Sequence, residues 1–396
     1  MVERGIEKIG IDLRIDTKYY NKLDIEGFSH MMKDPSYCYK FYWLEAIVQL
    51  ITGDVTETTF DAVINEMICN AWYSVIEFHI HLSGIQLDGQ IRDGLERAVI
   101  RLSELSGLKS NASKIEIKNA IKKYDSELKD VKSQLTNMVP YRALAGFFDK
   151  VEGTVDWGST RRLTEYIQRI NRDVILLPYT LGESSKLKKE IHFQPYWVEM
   201  IKENAVSILG WIQYEKVKWL QNNNPEVPGL VYKLAPLDEK MRKLGHVRKL
   251  WDGILDLCDV NDVFTDKPVD KAEYDVDHFV PWSFVMNDEL WNLMPMDSSL
   301  NSVKSNKLPR WDVFFIRFAE NQYVMYEMIH KKEQIRKLYE ACHRDNLHSI
   351  WANQELYRIG NSRDEFCNIL EKNMRPVYDS ARRQGYDVWD VKMDRI

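Results

Sequence analysis

Between Tyr274 and Pro309 the chain reads YDVDHFVPWSFVMNDELWNLMPMDSSLNSVKSNKLP, thirty-six residues that gather the side chains needed to hydrolyse a phosphodiester. That reaction needs a base to activate water, a hard cation to neutralise charge on the phosphate oxygens, and donors that hold the backbone in line. His278 suits the base, because a neutral imidazole titrating near the working pH accepts a proton efficiently. Asp277 and Asn301 offer oxygen ligands of the kind Mg²⁺ prefers, leaving positions open for phosphate and water. Lys304, Lys307 and Arg310 supply positive charge for nucleic-acid phosphates. Taken singly each is ordinary: an Asp-His dipeptide is usually a surface pair, and lysines on a helix usually face solvent.

Specific elements must bring these groups together. Tyr274 to Val280 carries Tyr274, Val276, Phe279 and Val280 and reads as a short strand ended by Pro281. Neighbouring strand residues point to opposite faces, so Asp277 and His278 are expected to share a site only if the chain leaves regular geometry there. A loop through Asn287 and Asp288 leads to a second apolar run, Leu290 to Met296, after which Asp297 or Ser298 can cap a short helix. Asn301 and Lys304, three apart, share one face of that helix before Pro309.

On these residues the segment resembles the HNH endonucleases, the His-Me finger or ββα-metal family. The shared features are Asp277-His278, Pro281, Ser283, the acidic loop to Asp288, Asn292-Leu293, Asn301 and Lys304. The interval of nine residues from Asn292 to Asn301 is similar to the zinc-less HNH domain of RNA-guided, Cas9-type nucleases. The resemblance implies that His278 is the general base, that Asp277 and Asn301 bind one Mg²⁺ or Mn²⁺, that Asn292 braces the loop around the base, and that Lys304 meets phosphate. It also implies DNA as substrate and a place in bacterial restriction or anti-phage defence. Many relatives fold around zinc held by two Cys-x-x-Cys pairs, whereas Cys38, Cys69, Cys258, Cys342 and Cys367 are scattered here and Leu300 stands where a cysteine often does. No structural zinc is expected, and Trp282, Phe284, Leu290, Trp291 and Leu293 must hold the module by packing.

A net charge of −6 is unfavourable for phosphate binding, but its distribution is uneven. Residues 301 to 345 carry nine Lys/Arg against six Asp/Glu, and Leu237 to Leu250 carries five against two. These stretches flank the motif as an electrostatic footprint would, although each could equally be a solvated helix face.

At 396 residues, 44% of them hydrophobic, the chain can build sizeable cores. The expected fold is mainly α, a large helical body carrying a small ββα-metal module. Helical spacing opens at Asp34-Pro35-Ser36 and runs through Tyr39, Tyr42, Trp43, Ala46, Ile47 and Leu50. Thr58 or Thr59 caps a buried helix over Phe60 to Leu82, and Ser103 to Leu135 reads as one long amphipathic helix. Residues 137 to 187 form a loop-rich joint with a strand at Val174 to Leu177, and helix resumes from Pro195 to about Leu220. The string Asn222 to Gly229 marks a boundary. The expected domains are therefore 1–228, helical, 229–345, nuclease, and 346–396, a C-terminal helical segment. Helices are expected over Trp311 to Arg344 and Ser349 to Arg382, with Gly360-Asn361-Ser362 as a break.

No apolar run reaches membrane-spanning length, no secretory leader is evident and the cysteines are few, so a cytoplasmic protein without membrane contact is expected. No phosphate-binding P-loop or nucleophile elbow is present. His79 and His81, two apart, do not share a helical face and are not expected to bind metal. The body is left to receive a protein partner or activating signal, to complete a DNA clamp, or to form a homodimer. The competing expectation is a helical scaffold whose HNH-like module binds nucleic acid without cutting it.

Overall fold

The computed structural model describes residues 13, 15–32, 37–84, 90–148, 155–173, 177–234 and 242–389. The chain is mainly α and divides into two compact units, Met1–Asn224 and Pro225–Ile396.

In the first unit the helix Tyr39–Thr52 buries Phe41, Tyr42, Trp43, Ala46, Ile47 and Ile51. The expected opening of that helix at Asp34-Pro35-Ser36 lies outside the described residues. Thr59 caps the helix Phe60–Phe78 by accepting from the Ala62 amide at 3.2 Å, and the helix stops at His79, whose φ of 51° ends the repeat four residues before the apolar pattern suggests. The single helix expected over Ser103 to Leu135 is instead three pieces, Gly94–Ser106, Lys114–Lys123 and Asp125–Leu135. Gly107 in the left-handed region closes the first, and Ser113 with Glu116 forms a capping box that opens the second. The resumed helix also breaks, at Asn204, into Pro195–Glu203 and Ala205–Asn223.

The unit's sheet is antiparallel, with β1 (Glu57–Thr59) and β2 (Tyr179–Leu181) on either side of β3 (Glu190–Phe193). Its β2 follows the stretch in which a strand is expected, of which residues 174–176 lie outside the described residues.

In the second unit β4 (Tyr274–His278) pairs with β5 (Leu293–Asp297) in an antiparallel ribbon. Pro295 is tolerated within β5 because this strand has a partner on one side only. The helix Ser298–Lys304 follows, capped by Asp297, which accepts from the Ser299 and Leu300 amides. Strand, loop, strand and helix thus follow the ββα order. Behind them lie the helices Gly245–Leu255, Trp311–Lys331, Glu333–Asn346 and Arg363–Arg383. The helix expected over Trp311 to Arg344 breaks at Lys332, whose backbone is extended. Ser362 opens the last of these helices with a capping box. β6 (Leu308–Pro309) and β7 (Val388–Trp389) pair in parallel, so the tail docks beside the end of the module. A single apolar core runs from Val247 to Trp389 and includes Phe279, Phe284, Leu290, Trp291 and Leu293.

Candidate active site

The β4–β5 ribbon sets the site. Its register places Asp277 opposite Met294 and His278 opposite Leu293, so β4 keeps regular geometry through both residues. Alternation then puts Asp275 and Asp277 on one face and His278 on the other. The ribbon is anchored at the end where Tyr274 faces Asp297. Tyr274 donates its hydroxyl to Asp252 at 2.7 Å, and Asp262 accepts from the amides of Phe264, Thr265 and Asp297.

Where β4 ends, Asn292 clasps the outgoing chain. Its Oδ1 accepts from the Val280 amide and its Nδ2 donates to the Val280 carbonyl, both at 2.8 Å. The Phe279 amide donates to the Asn292 carbonyl at 2.9 Å. Asn292 is fully buried and touches no other site side chain through these bonds. Its place is that of a brace for the chain leaving His278.

His278 is fully buried. Its Nε2 lies 3.1 Å from the Asn287 carbonyl and 3.1 Å from Asp288 Oδ1, and its Nδ1 lies 3.4 Å from Arg242 Nη2. A carbonyl oxygen only accepts, so the neutral ring carries its proton on Nε2 and leaves the Nδ1 lone pair as the basic atom. Arg242 stacks over Trp282, 5.4 Å from the ring centroid. The segment after it is pinned: Asp288 Oδ2 accepts from the Lys243 amide at 2.5 Å, and Asn346 donates to the carbonyls of Lys243 and Asp288.

Asp277 meets Lys304. The Lys304 ammonium donates to Asp277 Oδ2 at 2.7 Å and to the His278 carbonyl at 2.8 Å. Burial pushes the Asp277 carboxyl up, but the charge of Lys304, the charge His278 carries when its ring is protonated, and the hydrogen bonds from Lys304 and the His278 backbone outweigh it, so the group titrates below the usual carboxylate range. Lys304, expected on a face open to phosphate, is 0% exposed and serves Asp277 from inside the module. Asn301 reaches not Asp277 but Asp275, donating from Nδ2 to Asp275 Oδ2 at 3.2 Å. Its amide oxygen has no donor among the described residues.

Lys307 and Arg310 are exposed on the chain leaving the helix. Arg310 pairs with Asp312 at 2.7 Å, whereas Lys307 has no carboxylate partner among the described residues. Much of the basic stretch beyond is tied up: Arg317 pairs with Asp266, Lys331 with Glu327, Arg336 with Glu340 and Lys337 with Glu333. Upstream, residues 237–241 lie outside the described residues, Lys243 pairs with Asp345, and Arg248 covers the Tyr274 ring. Most of the positive charges near the motif are therefore paired, although the local excess of positive over negative residues remains.

Two participants are missing from the sequence reading. Asp275 was legible in principle, because period-two alternation puts it beside Asp277. Arg242 was not, since it stands thirty-six residues before His278 and only folding brings it there. No group of three or more His, Cys, Asp or Glu side chains arranged for a metal is present among the described residues. The hard-oxygen set consists of two carboxylates and one amide: Asp275, Asp277 and Asn301.

No curated protein and no solved structure matches the chain. The family model described as HNH endonuclease matches residues 262–310, a span that opens at the Asp262 anchor, closes at Arg310 and holds Asp275, Asp277, His278, Asn292, Asn301, Lys304 and Lys307 between them. This chain carries an HNH endonuclease module.

Proposed function

We propose that the module hydrolyses DNA phosphodiester bonds with a divalent cation, Mg²⁺ or Mn²⁺, and that His278 is its general base. The observation carrying this reading is the fixed imidazole: the Asn287 carbonyl accepts from Nε2, so Nδ1, which faces Arg242 at 3.4 Å, carries the lone pair that takes a proton from water when that guanidinium moves aside. Asp275, Asp277 and Asn301 suit a hard cation, being oxygen donors with an unshared amide oxygen among them. Such a cation supplies neutralisation of charge on the phosphate oxygens. Asn292 is a positioning residue that holds the chain behind His278. Lys304 positions Asp277, and an arriving phosphate would compete for its ammonium. Lys307 and Arg310 are placed to hold flanking phosphates.

The test is a cleavage assay on supercoiled plasmid, linear duplex, single-stranded DNA and RNA with each cation. Nicking of plasmid to 5′-phosphate and 3′-hydroxyl ends, lost in His278→Ala and Asp275→Asn, is the expected result. Intact DNA in every form, or cleavage of RNA alone, would overturn it.

A second reading has its own observation. His278 is 0% exposed and Asp277 is held by Lys304, so the groups needed for cutting are closed off in this state. Either the module binds nucleic acid as a scaffold without cutting, or it is a nuclease that opens on a signal. Cleavage by Arg242→Ala but not by the wild type marks the second, and DNA binding without cleavage by both marks the first.

We place the protein in the cytoplasm as a restriction or anti-phage effector, with the helical unit receiving a partner or signal. Among the described residues no helix is long and apolar enough to cross a membrane. A single site cuts one strand per visit, so double-strand cleavage would call for a homodimer or two sequential nicks. Phage plating on cells expressing wild type or His278→Ala decides the biological role: equal plaque counts would reject it.

A further inference from the structure

The first unit contains a cleft of about 540 Å³, of the size that holds small ligands. Its walls come from the helix Thr160–Asp173, the turn at Thr136 and Asn137, the rings of Phe60 and Tyr141, and the loop from Glu183 to Lys189 that joins β2 to β3. Lys189 is the unusual member. It is 8% exposed, and its ammonium has one hydrogen-bond partner, the Gly182 carbonyl at 3.1 Å.

The other two buried lysines of this unit are compensated: Lys132 by Asp61 at 2.6 Å and Asp125 at 2.8 Å, and Lys216 by Glu45 at 2.9 Å. Lys189 has no carboxylate within ion-pair distance among the described residues. Its neighbour in sequence, Glu190, is turned to Ser184, accepting from that hydroxyl at 2.6 Å. An ammonium taken out of water without a counter-charge is costly, and burial lowers the proton affinity of Lys189 although Glu190 and Glu183 at longer range oppose the shift. The main chain holds Lys189 in place, since its carbonyl accepts from the Phe60 amide at 2.9 Å and its amide donates to the Lys186 carbonyl at 3.1 Å. Lys186 lines the same cleft with a left-handed φ of 53°, a conformation that costs a lysine energy and that functional sites retain.

We propose that this cleft binds a small phosphorylated molecule, its phosphate held by Lys189 and Lys186. A phosphate supplies both the missing counter-charge and several acceptor oxygens, which Thr160 and Ser185 are placed to meet from the same walls. The volume exceeds what a bare phosphate fills, so the cleft leaves room for the organic part of the molecule. Arg161 contributes less charge because Glu165 already holds it at 3.0 Å.

The experiment uses the full chain, with inorganic phosphate, pyrophosphate, AMP, ATP and a single-stranded oligonucleotide as probes in calorimetry and thermal unfolding. AMP or ATP is expected to bind and to raise the unfolding midpoint. Lys189→Met should abolish that binding, and Lys186→Ala, at an exposed position, should weaken it at least tenfold. Without ligand, Lys189→Met should unfold no earlier than wild type, because it removes an uncompensated buried charge. The proposal is overturned if neither AMP nor ATP binds at millimolar concentration, if both variants bind as wild type does, or if the oligonucleotide alone binds.

Discussion

In the helical unit buried charges join one helix to another. Glu45 on Tyr39–Thr52 meets Lys216 on Ala205–Asn223 at 2.9 Å, and Lys132 on Asp125–Leu135 meets Asp61 on Phe60–Phe78 at 2.6 Å. In the HNH module they converge: Lys304 touches Asp277 and the His278 carbonyl, while Asp288 and Arg242 approach the two nitrogens of the His278 ring. The same physics serves two ends. A pair between helices acts as a staple, and nothing about it requires that its neighbour be charged. A ribbon with period-two alternation sends Asp275 and Asp277 to one face and His278 to the other, so polar groups crowd both sides of one short strand, a density of charge typical of sites that do chemistry.

The sharpest way to break this contrast is through activity. His278→Ala is expected to lower the plasmid nicking rate by about 10²–10⁴-fold, the usual worth of a general base. Replacing Glu45 and Lys216 together by Leu and Met is expected to leave that rate unchanged. Should the second change lower nicking as far as the first, the helical charges would be more than staples.

Stability gives the next largest effect. Asp277→Asn strands the Lys304 ammonium, and Glu45→Gln strands that of Lys216, so each should destabilise its unit by about 3–5 kcal/mol. Replacing both members of either pair by apolar residues of similar volume should restore most of the loss, because the desolvation cost of the pair goes with it. The contrast appears only in the rescue. In denaturant unfolding both double variants recover, whereas in the cleavage assay the module's double variant stays inactive.

How far the sequence displays this arrangement follows from the range of the forces involved. The strand, the loop, the second strand and the Asp297 cap are local, and the local pattern predicts each within a few residues. The mainly α fold is legible for the same reason, since periodicity shows wherever a helix buries one face. Helix ends are less so. An apolar stripe continues across Gly107 while the helix does not, because a left-handed cap at Gly107 and the capping box at Ser113 decide the break and the stripe does not record them. Long-range contacts are silent in the sequence. Nothing in the spacing of Arg242 announces that it lies 3.4 Å from His278, and nothing about Lys304 shows that its ammonium turns inward. The cleft around Lys189 is equally hidden, assembled from residues more than a hundred positions apart.

Acid should separate the two units by sign. Asp277 titrates below its ordinary value near 3.8, so its contribution to stability is full above that value and is lost as the pH falls through the folded one. Asp93, the buried cap of the helix Gly94–Ser106, is the opposite case. Burial raises its carboxyl, with repulsion from Glu96 adding to it, against the hydrogen bonds it accepts from Glu96, Leu95 and Ser83. Its folded form holds a proton more tightly than its unfolded form, so this group adds stability as the pH falls through its folded value towards 3.8. Amide exchange along an acid titration should therefore show the Asp93 helix gaining protection before the β4–β5 ribbon begins to lose it. Asp93→Asn should remove the gain, and Asp277→Asn, in a chain where Lys304 is also Met, should remove the loss. A ribbon that loosens while the Asp277 carboxylate is still fully ionised would assign the acid sensitivity to another group.

The smallest expected effect concerns exposed charge. Among the described residues Lys307 has no carboxylate partner while Arg310 shares its guanidinium with Asp312, so the two should contribute unequally to DNA binding although both lie just past the module helix. Lys307→Ala should weaken binding to any DNA sequence alike and reduce the slope of log affinity against log salt by about 0.9, the share of one released counterion per phosphate contact. Arg310→Ala should change the slope by less, because Asp312 already engages its guanidinium. Equal slopes for the two single variants would mean that the Asp312 pair opens on contact with DNA. Charge at the rim of the module would then be set by the substrate rather than by the fold, unlike the pairs inside it.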